Sequence, residues 1–308
     1  MNLNLIKTLC KTNEQTLYEH LIKLLQEIGY STIIYSEDYI IAEHENALPV
    51  CLIAHLDTVF TQLPHEFFYD SEKEILWSPS GAGFDDRAGV YIILELLKEG
   101  YFPNIIFTRG EEVGGVGAHH LVADYPDCPF ADCRAIIQLD RAYDNDAVFY
   151  ECDNNDFEKY ICDFGFEFNY GTFSDISIIA PAWKIAAVNL SVGYKCEHTP
   201  CERLYCKWTD ATLDKVRKIL DASSTMKSYT YIPWSKPNQN YTWGFSFSDN
   251  ICLLCGKQLK TGDRIIREQN DIGDYGVCDE CFKAYYDPAT TNSSVIQMCG
   301  EQAPAPPF

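Results

Sequence analysis

Apolar positions fall along the chain in two rhythms, one of helices and one of buried strands. Leu17, Leu21, Leu24, Leu25 and Ile28 recur at helical spacing and predict a helix over 13–28, with Thr12 and Gln15 as a capping box and Gly29 as its stop. Two short β-rich runs, 32–35 and 39–43, flank a turn at 36–38 and read as a hairpin at a sheet edge. The run Val50-Cys51-Leu52-Ile53-Ala54 is apolar on both parities and carries no charge, the pattern of a central strand covered on both faces. Further strands are expected at 104–108, 135–139, 147–150 and 185–192, and an outer segment at 67–77. Helices are expected at 88–98, from 114 through 122, at 157–163, at 174–180 closed by Pro181, and at 209–226. The stretch 193–200 reads as loop. Strands alternating with helices predict an open α/β sheet.

After Met226 the periodicity fades. Residues 227–250 are rich in Tyr, Ser, Pro and Asn and read as a linker. A cysteine-framed module spans 251–287, and 288–308, ending Ala-Pro-Ala-Pro-Pro-Phe, reads as a disordered tail. The main domain is thus 1–226.

Composition narrows the function. The 308 residues carry 24 basic and 45 acidic side chains, a net charge of −21. A field of that sign repels phosphate, so neither nucleic acid nor an anionic membrane is the expected partner. No apolar run approaches the ~20 residues of a transmembrane helix. The first residues lack a signal peptide's apolar region, so a cytoplasmic location is expected, and the 14 cysteines read as reduced thiols plus a metal site.

Chemistry collects at the ends of the expected strands, where open α/β sheets place ligands. His55 ends the central strand and Asp57 follows it. Asp85 and Asp86 open the next helix. Glu111 and Glu112 follow strand 104–108, Asp140 ends strand 135–139, and His198 follows strand 185–192. Two divalent ions ~3.5–4 Å apart need a shared carboxylate and several N/O ligands, and imidazole with carboxylate suits zinc, with cobalt or manganese as substitutes. A His-x-Asp pair lets the aspartate orient its own imidazole. In an adjacent Glu-Glu pair, one residue can hold a metal while its neighbour serves a bound water. Taken singly, each carboxylate could be a surface or capping group. His119-His120 read as surface residues, and Cys51, Cys196 and Cys201 as ordinary thiols.

The blocks Ala54-His55-Leu56-Asp57, Gly83-Phe84-Asp85-Asp86-Arg87-Ala88-Gly89, Arg109-Gly110-Glu111-Glu112-Val113-Gly114, Leu139-Asp140 and Glu197-His198-Thr199-Pro200 occur in an order that resembles the zinc-dependent exopeptidases. The similarity, over about 13–226, is to di-zinc aminopeptidases and their carboxypeptidase and deacylase relatives. It implies a three-layer α/β/α fold with a mixed, mostly parallel sheet. It implies that Asp85 bridges two catalytic zinc ions, with Glu112 and His198 completing one and His55 and Asp140 the other. Glu111 would be the general base and Asp57 would orient His55. A cis peptide at Asp85–Asp86 is implied as well. His55 and Asp85 are 30 positions apart and Asp140 and His198 are 58 apart, so neither gap holds an inserted domain. That spacing resembles the compact aminopeptidase branch, and Asp175 and Tyr194 then resemble residues along a substrate cleft, although Asp175 reads equally as a helix cap.

Cys252-x-x-Cys255 and Cys278-x-x-Cys281, with 22 residues between the pairs, have the spacing of a structural zinc site and resemble a treble-clef or LIM-like finger. Residues 251–287 hold 5 basic and 7 acidic side chains, which argues for a protein partner or a purely structural part rather than for nucleic acid. The expected function is removal of an N-terminal residue from a peptide or amide substrate by metal-activated water. A deacylase or carboxypeptidase on the same site, or an inactive scaffold whose finger binds a protein, are the rivals.

Overall fold

The computed structural model describes residues 1–234 and, beyond them, three short strands at 264–267, 274–277 and 294–297. The chain divides into two compact units near residue 235. In the first unit, α1 (Leu3–Lys11) and α2 (Glu14–Glu27) precede β1 (Tyr30–Tyr35), β2 (Tyr39–His44) and β3 (Leu48–His55). The hairpin β4 (Phe68–Asp70) and β5 (Ile75–Trp77) leads to α3 (Phe84–Lys98), β6 (Pro103–Thr108), α4 (Val116–Asp124) and β7 (Ala135–Arg141). Then come β8 (Asp146–Val148), α5 (Asn155–Cys162), β9 (Glu167–Asn169), α6 (Ile176–Trp183) and β10 (Ala187–Ser191). A hairpin of β11 (Tyr194–Lys195) and β12 (Arg203–Tyr205) ends in α7 (Cys206–Ala222).

Eight strands form one sheet in the order β1-β2-β6-β3-β7-β10-β8-β9. Its centre, β6-β3-β7-β10, is parallel, and β2 and β8 flank that centre antiparallel. All four central strands therefore end on the same edge. The apolar run of β3 explains its place. Val50, Leu52 and Ala54 point into the larger core, with α1, α2, α3, α5 and α7, while Cys51 and Ile53 point into a second core under α4 and α6. A fully buried Leu such as Leu52 contributes about 1.5–3 kcal/mol relative to exposure. The result is the expected three-layer sandwich. A second, four-stranded sheet, β11-β12-β5-β4, lies at the ligand-bearing edge.

Several expectations shift. The N-cap of α2 is Asn13, whose side chain accepts from Thr16 N; Thr12 instead donates its hydroxyl to Thr8 O at the end of α1. Helix α1 itself escaped the periodicity reading because its apolar residues share a short window with Asn and Lys. Pro181 does not close α6 but lies inside it; the helix ends at Lys184, which takes a left-handed conformation. The loop expected at 193–200 contains β11. Residues 227–234, expected to open the linker, lie along the main body, with Thr230 bridged to Ile185 and Pro233 to Cys152.

The second unit shows Arg264–Arg267 paired antiparallel with Asp274–Val277 on one side and Ser294–Gln297 on the other. That last strand falls within the stretch read as a tail. Cys252, Cys255, Cys278 and Cys281 lie outside the described residues. No helix among the described residues is long and apolar enough to cross a membrane.

Candidate metal centre

The common edge of β3, β6, β7 and β10 collects the expected residues. His55 is the last residue of β3, and its register partner on β6 is Thr108, which leads into the Glu111-Glu112 turn. Asp140 is near the end of β7. Asp85 arrives on the first turn of α3, with a cis peptide to Asp86 as the resemblance implied. His198 arrives on the β11–β12 hairpin.

The two oxygens of Asp85 face different imidazoles. Oδ1 is 3.1 Å from His55 Nε2, and Oδ2 is 3.1 Å from His198 Nε2. A second carboxylate joins each pair: Asp140 Oδ1 lies 3.4 Å from His55 Nε2, and Glu112 Oε2 lies 2.9 Å from His198 Nε2. These are the two groupings the motif order implied. Asp86 was not anticipated; a carboxylate oxygen of it lies within 4.8 Å of ligand atoms of both His55 and Asp140. It is already engaged, since its carboxylate accepts from His55 N at 3.2 Å and Gly89 N at 2.9 Å.

The donor set suits divalent cations. Asp57, Asp85, Asp86, Glu111, Glu112 and Asp140 converge on two imidazoles. The buried Arg87 turns away, donating to Leu56 O at 2.5 Å and Thr12 O at 3.3 Å. Glu112 Oε1 is buried with no hydrogen-bond partner, a cost that a bound cation removes. Imidazole nitrogen with carboxylate oxygen is a zinc-type set.

Asp57 binds the site together. Its Oδ1 lies 3.3 Å from His55 Nδ1, within ion-pair range, and its two oxygens accept from Glu111 N at 3.2 Å and Glu112 N at 3.1 Å. One carboxylate thus fixes an imidazole and the turn carrying both glutamates. Burial opposes its ionisation, yet His55 brings the carboxyl down to about 2. Burial likewise disfavours a charged His55, but Asp140, Asp57 and Asp85 hold its pKa well above the ordinary value. Asp85 and Glu112 push His198 up to about 11. Burial and the field of Asp140 raise Glu111 to about 9, and burial raises Asp140 to about 7.

The residues expected along a cleft are placed differently. Tyr194 is 2% exposed, behind Asp140. Asp175 is fully buried and accepts from Thr108 Oγ1 at 2.5 Å. Burial raises its carboxyl to about 6. A cavity of about 710 Å³ opens beside the centre instead, lined by Asp57, Thr58, Val59, Arg109, Glu112 and Val113 among others. His119 and His120 are exposed, and His120 pairs with Asp38.

A supporting network escaped the sequence reading. Gln138 Nε2 donates to Asp140 Oδ2 at 2.9 Å, and Gln138 Oε1 accepts from Ser174 Oγ at 2.5 Å. Asn189 Oδ1 accepts from Asp140 N at 3.0 Å, and its amide donates to Asp140 O at 3.2 Å. Glu202 holds the loop before Asp85. Gln138 and Asn189 sit on apolar strands, and an uncharged amide inside such a strand was the available signal.

Solved structures share this architecture. A tripeptidase from Staphylococcus aureus is 16% identical with a TM-score of 0.58, covering 73% of this chain and 98% of its own. A leucine aminopeptidase precursor from Bacteroides thetaiotaomicron is 15% identical with a TM-score of 0.54, covering 72% and 95%. A glutaminyl cyclase from Porphyromonas gingivalis is 14% identical with a TM-score of 0.51, covering 71% and 95%. At such identities the likeness establishes the fold alone. No curated protein sequence matches the chain. Residues 40–170, which carry His55, Asp57, Asp85, Glu111, Glu112 and Asp140, match the model of peptidase family M28.

Proposed function

We propose that the chain is a metallo-exopeptidase that removes the N-terminal residue of a peptide, using two divalent ions, zinc by the donor set. The observation that carries this reading is the Asp85 carboxylate, with each oxygen set against a separate imidazole–carboxylate pair. One ion would be held by His55, Asp140 and Asp85, and the other by His198, Glu112 and Asp85. Ions held there supply a water acidified toward neutrality and a Lewis acid for the scissile carbonyl.

The chain's own residues do the rest. Glu111 neighbours the ligand Glu112 yet lies outside both imidazole–carboxylate pairs; cations held at the centre would offset the Asp140 field that adds to burial in raising its carboxyl, and it would then take a proton from the attacking water and return it to the leaving amine. Asp57 keeps His55 Nδ1 on the far side from the centre, which leaves Nε2 turned toward Asp85 and Asp140. Its bonds to the Glu111 and Glu112 amides hold the base at a fixed distance from the ligands. Little else at the centre moves, since Asp85, Asp140 and His55 are buried.

The experiment measures metal content of full-length protein purified without chelator, together with hydrolysis of aminoacyl-amide and peptide substrates. About two zinc ions bound at the N/O centre, activity lost on chelation and regained with zinc, and a free N-terminal residue as product support the reading. Release of an acyl group or a C-terminal residue would assign the same centre to a deacylase or carboxypeptidase. No turnover with zinc, manganese or cobalt would leave a non-catalytic scaffold.

A further inference from the structure

We propose that Glu202 is a positioning residue that locks the Asp85 loop to the hairpin carrying His198, and thereby sets the affinity for the ion these two residues share. The inference rests on the metal-centre reading above.

Helix α3 begins at an awkward point. Gly83 is left-handed and Asp85 and Asp86 are non-helical, so the regular helix is capped by Asp86, which accepts from Gly89 N, and the N–H groups of the entry at 82–85 have no local side-chain acceptor. Those groups are buried, so an acceptor must come from elsewhere. It comes from Glu202, 117 to 120 positions away and fully buried. Glu202 Oε2 accepts from Ala82 N at 2.9 Å and Gly83 N at 2.7 Å, while Oε1 accepts from Asp85 N at 3.1 Å. One carboxylate thus holds the whole entry to α3, and it bonds the ligand residue itself.

The other end of Glu202 is equally fixed. Its N–H donates to Thr199 O at 3.0 Å, and Thr199 Oγ1 donates to Cys196 O at 2.7 Å. The turn 196–202 that presents His198 is therefore internally braced. Residues after Glu202 run into β12, which pairs with both β11 and β5. His198 and Asp85 are 113 positions apart in sequence, and their 3.1 Å approach spans two loops that Glu202 joins directly. His55 and Asp140 stand on neighbouring strands of the main sheet, so the ion they hold meets this clamp only through the shared Asp85.

All three partners of Glu202 are N–H donors, and its two carboxyl oxygens accept all three. Glu202→Gln keeps the shape but turns an NH2 group toward an N–H. Glu202→Asp keeps the charge but draws the carboxylate back by one methylene.

The test titrates metal-free, full-length wild type, Glu202→Gln and Glu202→Asp with Co2+, which reads N/O sites by d–d absorption and any thiolate site by its charge-transfer band. Two N/O ions are expected in the wild type. In Glu202→Gln the ion at His55 and Asp140, which meets the clamp only through the shared Asp85, should stay bound and weaken less, while the ion at His198 should bind ~10–100-fold more weakly, the usual effect of losing a group that orients a ligand. Glu202→Asp should fall between them, and it carries the test should the glutamine variant fail to fold. Retention of the first ion separates loss of positioning from general unfolding. Wild-type affinity for both ions, or equal weakening of both, overturns the clamp while leaving the metal centre standing. A wild type that takes up no N/O ions overturns the metal-centre reading and the clamp with it.

Discussion

The phenol of Tyr194 donates to the backbone carbonyl of Asp140 at 3.0 Å and lies 3.2 Å from its carboxylate Oδ1. Tyr194 thus steadies a ligand from behind rather than touching substrate. Tyr194→Phe is expected to lower the stability of the metal-free protein by about 0.5–1.5 kcal/mol, the net worth of one buried hydrogen bond. The loss stays modest because Asn189 still donates to the same carbonyl and Gln138 still holds the carboxylate. Affinity for one ion should fall with KM unchanged. Urea denaturation and chelator competition measure both, and a raised KM at full metal content would return Tyr194 to the substrate cleft.

Glu111 and Glu112 are adjacent but differently employed, since Glu112 meets His198 while Glu111 keeps its carboxylate free. Glu111→Gln should lower kcat by about 10²–10⁴-fold, the range of a lost general base, with metal content unchanged. The Glu111 N–H to Asp57 bond is a backbone contact and survives the substitution. Activity within a few-fold of wild type would require another base.

Much of this centre was legible in the sequence because its ligands sit where patterned strands end. His55 closes a charge-free apolar run, and Asp140 closes another, so strand periodicity alone puts both on one edge. The bridging role of Asp85 came only from resemblance, since periodicity cannot tell a ligand from a helix cap. Glu202 and Gln138 were illegible for a different reason. Glu202 acts on Asp85 across 117 positions, and Gln138 joins the neighbouring Asp140 to Ser174, 36 positions on; the lone amide in an apolar strand marks Gln138 as unusual, but the long-range partners leave no local pattern. Tyr194 was singled out by resemblance alone, since Gly193 and Lys195 give no periodicity, and its burial follows from the β11–β12 pairing.

Gly89 is quoted in the motif that opens α3, and its packing explains it. A Cβ there would stand 1.9 Å from Leu139 O and 2.6 Å from Asp86 Oδ1. The first obstacle is backbone of a central strand and cannot turn aside. Gly89→Ala should therefore separate α3 from β7, displacing Asp85 and Asp140 together. Overpacking of this kind typically costs about 1–3 kcal/mol, and a backbone clash puts this site at the upper end or beyond. Thermal unfolding and metal content should fall together, whereas Gly100→Ala, where a Cβ meets nothing within 4 Å, should spare the metal content. Wild-type melting and metal content in the Gly89→Ala variant would show that α3 is free to shift.

Metal uptake should release protons. In the metal-free protein His198 is raised to about 11 and His55 is raised well above its ordinary value, so both imidazoles are protonated at pH 7. Asp140, raised to about 7, is partly protonated there. An imidazole offers Nε2 to a cation only after losing its proton, and a carboxylate binds best ionised. The sign follows: protons and ions compete, so apparent zinc affinity rises as pH increases through neutrality toward the raised pKa values. Calorimetric titration at pH 7 in two buffers of different ionisation heat counts the protons. At least two per pair of ions are expected, one from each histidine. His198→Ala should remove about one of them while leaving the ion at His55 and Asp140 in place. Heats that match in both buffers would mean that both imidazoles are already neutral in the metal-free protein, and would overturn their raised pKa values.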